Sequence, residues 1–316
     1  MLSLNAIFEH SKKRKMGILD AVTWTFSPQL FNLFGKEVRW YGLLFALGFY
    51  FGLLITTKLF KAEKVPEKWV DKLFIYIIVA AALGARLGHV FFYAWDYYSQ
   101  HPWEIIKIWE GGLASHGGAI GIILAVWLYS KKVTKRSLNW TFDRIVISVA
   151  LAGMLIRLGN LANHEIYGHP TDLPWGFRFI TNWYQVRHGA DPIFSAPSHP
   201  TQIYEALCYL LSFVVLYTIY WKTKLKHREG FLFGVFLIGI FLSRFLIEFV
   251  KENQEAFEDG MLLNMGQILS IPFVLAGLWL IVRAFRREPV YYDTDEKPKK
   301  DKSETLLGNV KSTSVK

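Results

Sequence analysis

Seven stretches of the chain are apolar for long enough to be read as membrane crossings, each of which takes about 20 helical residues. They are Trp40 to Leu59, Leu73 to Tyr93, Leu113 to Tyr129, Phe142 to Leu158, Ile203 to Trp221, Phe231 to Phe249 and Leu262 to Val282. The third has an N-terminal part that starts near Ile108, the second is interrupted by Arg86, and Pro272 permits a bend in the seventh. The pattern predicts an all-α polytopic membrane protein with seven transmembrane helices.

The connectors between these runs alternate in charge. Residues 58–72 hold Lys58, Lys61, Lys64, Lys68 and Lys72, residues 131–136 hold Lys131, Lys132, Lys135 and Arg136, and residues 222–228 hold Lys222, Lys224, Lys226 and Arg228. With Arg283, Arg286 and Arg287, these mark the cytoplasmic side. The connectors near 96–107 and 251–260 are short of lysine and relatively acidic, and 159–201 is long and rich in Pro, Gly, His and Trp. These face outwards, the long one as a small periplasmic head region. Residues 1–38 are then an N-terminal periplasmic or interfacial lead-in, 39–284 the seven-helix domain, and 285–316 a charged cytoplasmic tail expected to be disordered. Lys12, Lys13, Arg14 and Lys15 oppose this orientation but lie more than 20 residues before the first crossing. No apolar core or cleavage site follows them, so no signal peptide is expected.

Composition agrees with a membrane protein. Of 316 residues 52% are hydrophobic and only 20% charged, which is too apolar for an ordinary soluble chain. The net charge of +10 sits in short connectors between apolar runs, which suits anionic lipid headgroups and not nucleic acid. The single cysteine, Cys208, lies in an apolar run and reads as a small buried hydrophobe. No internal repeat is evident, which weighs against an inverted-repeat transporter.

The candidate chemistry collects at the outward ends of the crossings. In the stretch Gly153 to Gly168, helical spacing places Arg157, Asn160 and His164 on one face, while Asn163 joins them only if the helix ends or loosens near it. Tyr41 begins the first crossing, His116 lies between Gly111 and Gly118 at the start of the third, and His199, Gln202 and Glu205 begin the fifth. Arg244 and Glu248 are four residues apart near the end of the sixth, and Asn264 and Gln267 open the seventh. Charge in hydrocarbon is costly, so groups at matching depths are expected to share a polar cavity. Plainer readings stand beside this one. The Asn163 region can be a solvated helix end with a capping amide, Arg244 and Glu248 an intrahelical ion pair, and His199 a helix-end residue. Gly84 and Gly88 are read as a close helix contact. No HxxxH or HExxH pair, nucleotide-binding glycine loop or GxSxG motif occurs, so no metal site is assigned. Two arginines near a bilayer surface suit a phosphate, and hence a phospholipid headgroup.

From about Phe26 to Arg283 the chain resembles the bacterial prolipoprotein diacylglyceryl transferases. The resemblance is carried by the fragments Val38–Gly42 (VRWYG), Gly111–Gly118 (GGLASHGG), Arg157–Gly168 (RLGNLANHEIYG), Asp172–Gly176 (DLPWG), His199–Glu205 (HPTQIYE), Arg244–Glu248 (RFLIE) and Met265–Ser270 (MGQILS). Ile156 and Leu161 depart from the glycine and phenylalanine usual in that pattern. The resemblance implies transfer of the diacylglyceryl group from phosphatidylglycerol to the lipobox cysteine of a prolipoprotein signal peptide, with glycerol 1-phosphate released. It implies a bacterial inner-membrane location, a periplasmic active site, a monomer, and no metal or organic cofactor. The family associates the positions of Tyr41, His116, Arg157, Asn160, Glu205, Arg244 and Glu248 with the active site. On this reading Arg157 and Arg244 hold the donor phosphate, and His116 deprotonates the cysteine, with Glu205 as a competing base. Tyr41, Asn160 and Asn163 orient headgroup oxygens, His199 and Gln202 lie at the rim, and Glu205 and Glu248 position the arginines or His116. The outer loop with Trp175, Trp183, Tyr184 and Arg187 is expected to close over the site. The alternative is a membrane transporter or lipid-handling protein that binds the headgroup without breaking it.

Overall fold

The computed structural model describes residues 21–252, 258 and 260–292. The Lys12 cluster and most of the charged tail lie outside the described residues. Seven helices carry the fold: α1 (Trp40–Ala62), α2 (Lys68–Tyr93), α3 (Ser115–Tyr129), α4 (Leu138–Ala162), α5 (Thr201–Lys222), α6 (Phe231–Ile247) and α7 (Met265–Arg286). Six are long and apolar enough to cross a membrane among the described residues, α6 being counted with the 3-10 turn Glu248–Val250 that continues it. The exception is α3, with 15 residues. Gly111 (φ 93°) and Gly112 (φ 66°) turn the chain in the left-handed region, and α3 starts only after them. At its other end α3 runs into a π-helical turn, Ser130–Thr134.

Small residues set the helix contacts. Gly84 and Gly88 of α2 lie against Gly117 and Gly121 of α3, so tightly that a Cβ on Gly117 would overlap the α2 backbone. Gly48 and Gly52 of α1 face Ala152 and Ser148 of α4, and Gly234 of α6 faces Gly277 of α7. Outward-facing side chains such as Leu54, Leu83, Phe92, Leu211 and Trp279 are exposed and apolar, as a lipid-facing surface requires. Arg86, the charge inside the second crossing, is buried and donates to four backbone carbonyls, at 2.8 Å to Ile105, 2.6 Å to Glu104, 2.6 Å to Gly111 and 3.3 Å to Gly112. It ties the connector after α2 onto the helix, which gives its charge a structural reason.

At the end of α4 remote from Arg157, Glu63 is buried and accepts from Arg144 Nε at 2.9 Å and from the Tyr220 hydroxyl at 2.7 Å. Arg136 Nη1 is 3.6 Å from its second oxygen and stacks on Trp140 and Tyr292. Burial pushes the Glu63 carboxyl up, but Arg144, the Tyr220 hydrogen bond and Arg136 together hold it below the ordinary carboxylate range. The stability linked to this ionisation is therefore complete above that range and lost as pH falls through the lowered folded value. Glu63→Gln is expected to lower stability by about 3–5 kcal/mol at neutral pH, because two buried guanidinium groups lose their counter-charge. Thermal unfolding in detergent should show this, and the variant should lack the wild-type decline on acidification.

The described part of the lead-in, residues 21–39, contains three short strands. β2 (Gln29–Leu33) and β3 (Lys36–Arg39) form an antiparallel hairpin around Phe34 and Gly35, both with positive φ, and β3 passes directly into α1. β1 (Val22–Trp24) pairs in parallel with β4 (Phe177–Phe179), so the lead-in and the region 159–201 are one unit. Strands this short carry no alternating pattern legible in the sequence.

Candidate active site

The site is built where α4 stops. Asn163 caps the helix, and His164 (φ 57°) and Ile166 (φ 61°) turn the chain sharply away. The expected loosening near Asn163 is present, but it removes His164 from the Arg157 face. His164 Nε2 donates to the Phe26 carbonyl at 2.7 Å, and Nδ1 accepts from the Ile180 amide at 3.1 Å. Burial lowers its pKa, against the opposing effect of the Phe26 bond, and a neutral ring suits both contacts. His164 is a rivet between lead-in and head.

Arg157 stays on α4 with its Nε 3.0 Å from Glu205 Oε2 in the first turns of α5. Glu205 is fully buried, and its other oxygen is 3.4 Å from Lys251 Nζ. Lys251 also reaches Glu248 Oε1 at 3.2 Å, and the same oxygen lies 3.4 Å from Arg244 Nε. Glu248 Oε2 accepts from Asn264 at 3.2 Å, and the carboxylate rests on Gly266, where a side chain would displace it. The result is a chain of alternating charge, Arg157, Glu205, Lys251, Glu248 and Arg244, drawn from three helices and the segment after α6. It carries three cations and two carboxylates, so one positive charge is left over for an anion.

The two arginines are the open members, with side chains 15% and 37% exposed. Each turns Nε to a carboxylate. The terminal nitrogens of Arg244 make no hydrogen bond among the described residues, and Arg157 Nη1 has a long 3.5 Å contact to Asn160 Oδ1. Such forks, already charge-balanced on one edge, can take a phosphate on the other. Asn160 donates to Glu165 at 2.8 Å, and Asn163 donates to the same oxygen at 3.2 Å. Tyr41 packs its ring and Cα over Gly159, two residues after Arg157 on α4.

Other sequence candidates fall differently. Gln202 is fully buried and donates to the Glu165 carbonyl at 2.7 Å, so it shapes the turn after α4. His199 Nδ1 lies 3.3 Å from the Tyr204 hydroxyl, which accepts from Trp175 at 2.9 Å. Burial and the neighbouring His169 lower the His199 pKa. His116 is exposed on the first turn of α3, a helix packed mainly against α2, and makes no hydrogen bond or ion pair among the described residues. Asn264 and Gln267 cap α7 reciprocally.

Lys251 is the site residue that sequence reasoning missed. It stands at the start of a connector read as short of lysine, three residues after Glu248. Its burial follows from backbone pairing of Gly168 with Lys251, reinforced by a 2.9 Å bond from the His169 amide to the Val250 carbonyl.

Two cavities are lined by residues of these elements. One of about 220 Å3 lies between the hairpin and the head and is lined by Asn163, Trp183, Tyr184 and Arg187 among others. Three of the four outer-loop residues singled out from sequence thus border a cavity, whereas Trp175 bonds to Tyr204. The other, about 160 Å3 and apolar, lies between α1, α2, α3 and α4 against Phe49, Phe74, Ile122 and Val149. No group of three or more His, Cys, Asp or Glu side chains among the described residues is arranged to hold a metal ion.

Comparison with known proteins gives the same direction. The chain is 53% identical over 271 residues to a phosphatidylglycerol-prolipoprotein diacylglyceryl transferase of Porphyromonas gingivalis, covering 84% of this chain and 95% of that one. A protein of the same name from Chloroherpeton thalassium is 45% identical over 266 residues, again 84% and 95%. One from Bacteroides fragilis is 41% identical over 276 residues, with the same coverage. The family described as prolipoprotein diacylglyceryl transferase matches residues 28–283, a span that holds every member of the charge chain, and this protein belongs to that family.

Proposed function

We propose that this chain transfers the diacylglyceryl group of phosphatidylglycerol to the lipobox cysteine thiol of a prolipoprotein. The observation that carries the reading is the pair of arginines, each held at Nε by a buried carboxylate and joined through Lys251. In the reaction the cysteine sulfur attacks the glyceryl carbon that bears the phosphate ester. A C–S bond forms, the C–O bond breaks, and its electron pair stays on the phosphate oxygen of the departing glycerol 1-phosphate. Arg157 and Arg244 neutralise the charge that grows there. The thiol proton must leave first, and His116, without a hydrogen-bond partner among the described residues at the start of α3, is the proposed acceptor. The apolar cavity between α1 and α4 is suited to an acyl chain.

In this reading α3 and its π turn make the third of the seven crossings. The lysine-rich connectors and the C-terminus face the cytoplasm, and the charge chain and head face the periplasm of the inner membrane. The protein works as a monomer, with the signal peptide approaching from the outer leaflet.

Incubation of purified protein with phosphatidylglycerol and a lipobox peptide tests the function. Cysteine-dependent gain of the diacylglyceryl mass with release of glycerol phosphate is expected, whereas movement or binding of intact lipid alone would favour a lipid carrier. His116→Gln is expected to lower the transfer rate by about 10²-fold or more, the typical contribution of a positioned base. The deficit should shrink as pH rises toward the thiol's own ionisation near about 8.5, where a base is needed less. Wild-type rates across the pH range would remove His116 from that role.

A further inference from the structure

We propose that Arg86 is a positioning residue for the transfer reaction, setting through the carbonyls of Gly111 and Gly112 the turn from which α3 presents His116 at the depth of Arg157. The proposal rests on the reading of His116 as the base for the thiol and adds to it the residue that fixes where that base stands.

Depth is the first observation. α2 runs on to Tyr93, but the chain that returns from it descends again before α3 begins. The Ala114 amide donates to the Ala85 carbonyl at 2.9 Å, and Gly117 packs on Gly84 and Gly88. The first turn of α3 therefore lies beside Arg86, about 10 Å below the end of α2. The phosphate-binding arginine is found at the same level. Ile122 of α3 and Val149 of α4 line one apolar cavity with Phe49 of α1. Measured outward from that cavity along each helix, His116 stands about 9 Å and Arg157 about 12 Å away.

Irregular backbone at such a depth has to find its hydrogen-bond partners within the protein. Arg86 supplies them. Its buried guanidinium donates through Nε to Ile105, through Nη2 to Glu104 and through Nη1 to both Gly111 and Gly112, with the Tyr98 ring centre 4.9 Å from its Cζ. Both glycines have positive φ, and backbone that carries no side chain is the freest to change conformation. Their turn is held by the planar fork, which meets four carbonyls in a fixed arrangement that a lysine ammonium with three donors cannot reproduce. His116 follows four residues after Gly112 with its side chain exposed, so the backbone that carries it decides where the imidazole reaches.

Two substitutions disturb the fork from opposite sides. Arg86→Lys keeps the charge and loses the planar donor set. Gly112→Ala keeps Arg86 but places a Cβ 2.9 Å from its Nη1 and 2.7 Å from the His89 ring, at a φ of 66° that suits glycine.

The test measures kcat and KM with phosphatidylglycerol and a lipobox peptide for the purified full-length protein, each substitution being made alone and together with His116→Gln. Alone, each should lower kcat by about tenfold or more, since a displacement on the order of 1 Å at a reacting group is enough for this. KM for the lipid should stay within about twofold, because the charge chain that holds the phosphate is untouched. Added to His116→Gln, the same substitutions should cost less than about threefold, as the group they displace is already gone. If Arg86→Lys does not fold, Gly112→Ala decides alone. Losses that multiply with that of a slow His116→Gln, or wild-type kcat in the folded variants, would overturn the positioning role and leave the base reading standing. Wild-type rates in His116→Gln would overturn the base reading and the positioning role with it.

Discussion

Arg157→Ala is expected to reduce diacylglyceryl transfer by about 10³-fold, the upper part of the range for losing one preorganised donor to a developing oxyanion. Arg157 is suited to this because its Nε edge is neutralised by a fully buried carboxylate at 3.0 Å while its side chain remains partly open. The phosphate therefore meets a fork already set in place. Arg157→Lys keeps the charge but loses the planar fork, and should retain the fold while remaining slow. Alanine should also destabilise the bundle, because Glu205 would keep only Lys251 at 3.4 Å. Comparing the two variants separates these effects. Initial rates with phosphatidylglycerol and a lipobox peptide provide the measurement, and an alanine variant within tenfold of wild type would discard the headgroup role. Arg244, more exposed and paired to Glu248 at 3.4 Å, should lose turnover on truncation with a smaller change in stability.

How much of this could be read from the sequence depended on whether a local pattern reports the deciding contact. Long apolar runs mark helices in a bilayer directly, since backbone groups there must be satisfied within the segment. The end of α4 was legible in its cluster of amides and charges, which can address one cavity only if the helix stops near Asn163. Its start was not placed. The run was read from Phe142, but the Ser137 side chain accepts from the Trp140 amide at 3.1 Å and begins the helix at Leu138, among residues that look like connector. The same locality misled on His164, whose place on the Arg157 face assumed that the helix continued through it. Matching depth brought Arg157 together with Glu205 and Arg244 with Glu248, but nothing in the spacing says that Lys251 folds inward. That follows from pairing with Gly168, more than 80 residues away in the chain. The union of lead-in and head likewise rests on a parallel pair, Val22 with Phe177, that no local pattern announces.

Lys251→Met is the variant that should damage the fold and the site together. Glu205, Glu248 and Lys251 are respectively 0%, 6% and 3% exposed, and among the described residues the lysine is the one cation within 4 Å of both buried carboxylates. Its removal should cost about 3–5 kcal/mol of stability, the usual penalty for stripping one partner from a buried ionic group. It should also reach the arginines. With three cations and two carboxylates the chain has one positive charge to spare for a phosphodiester, and without Lys251 it has none. Each arginine is then drawn more firmly to its own carboxylate, and KM for the lipid is expected to rise along with the fall in kcat. Lys251→Arg, which keeps the charge, should recover part of both. The double variant Lys251→Met with Glu248→Gln separates the two consequences, because it removes one buried carboxylate together with its cation. Stability should return toward wild type while turnover stays low, since Arg244 would then have lost the carboxylate that holds its Nε in place. A Lys251→Met protein with wild-type thermal stability and KM would show that the lysine is only a neighbour of the site. Full recovery of turnover in the double variant would show that charge balance alone, and not the placement of Arg244, is what Lys251 provides.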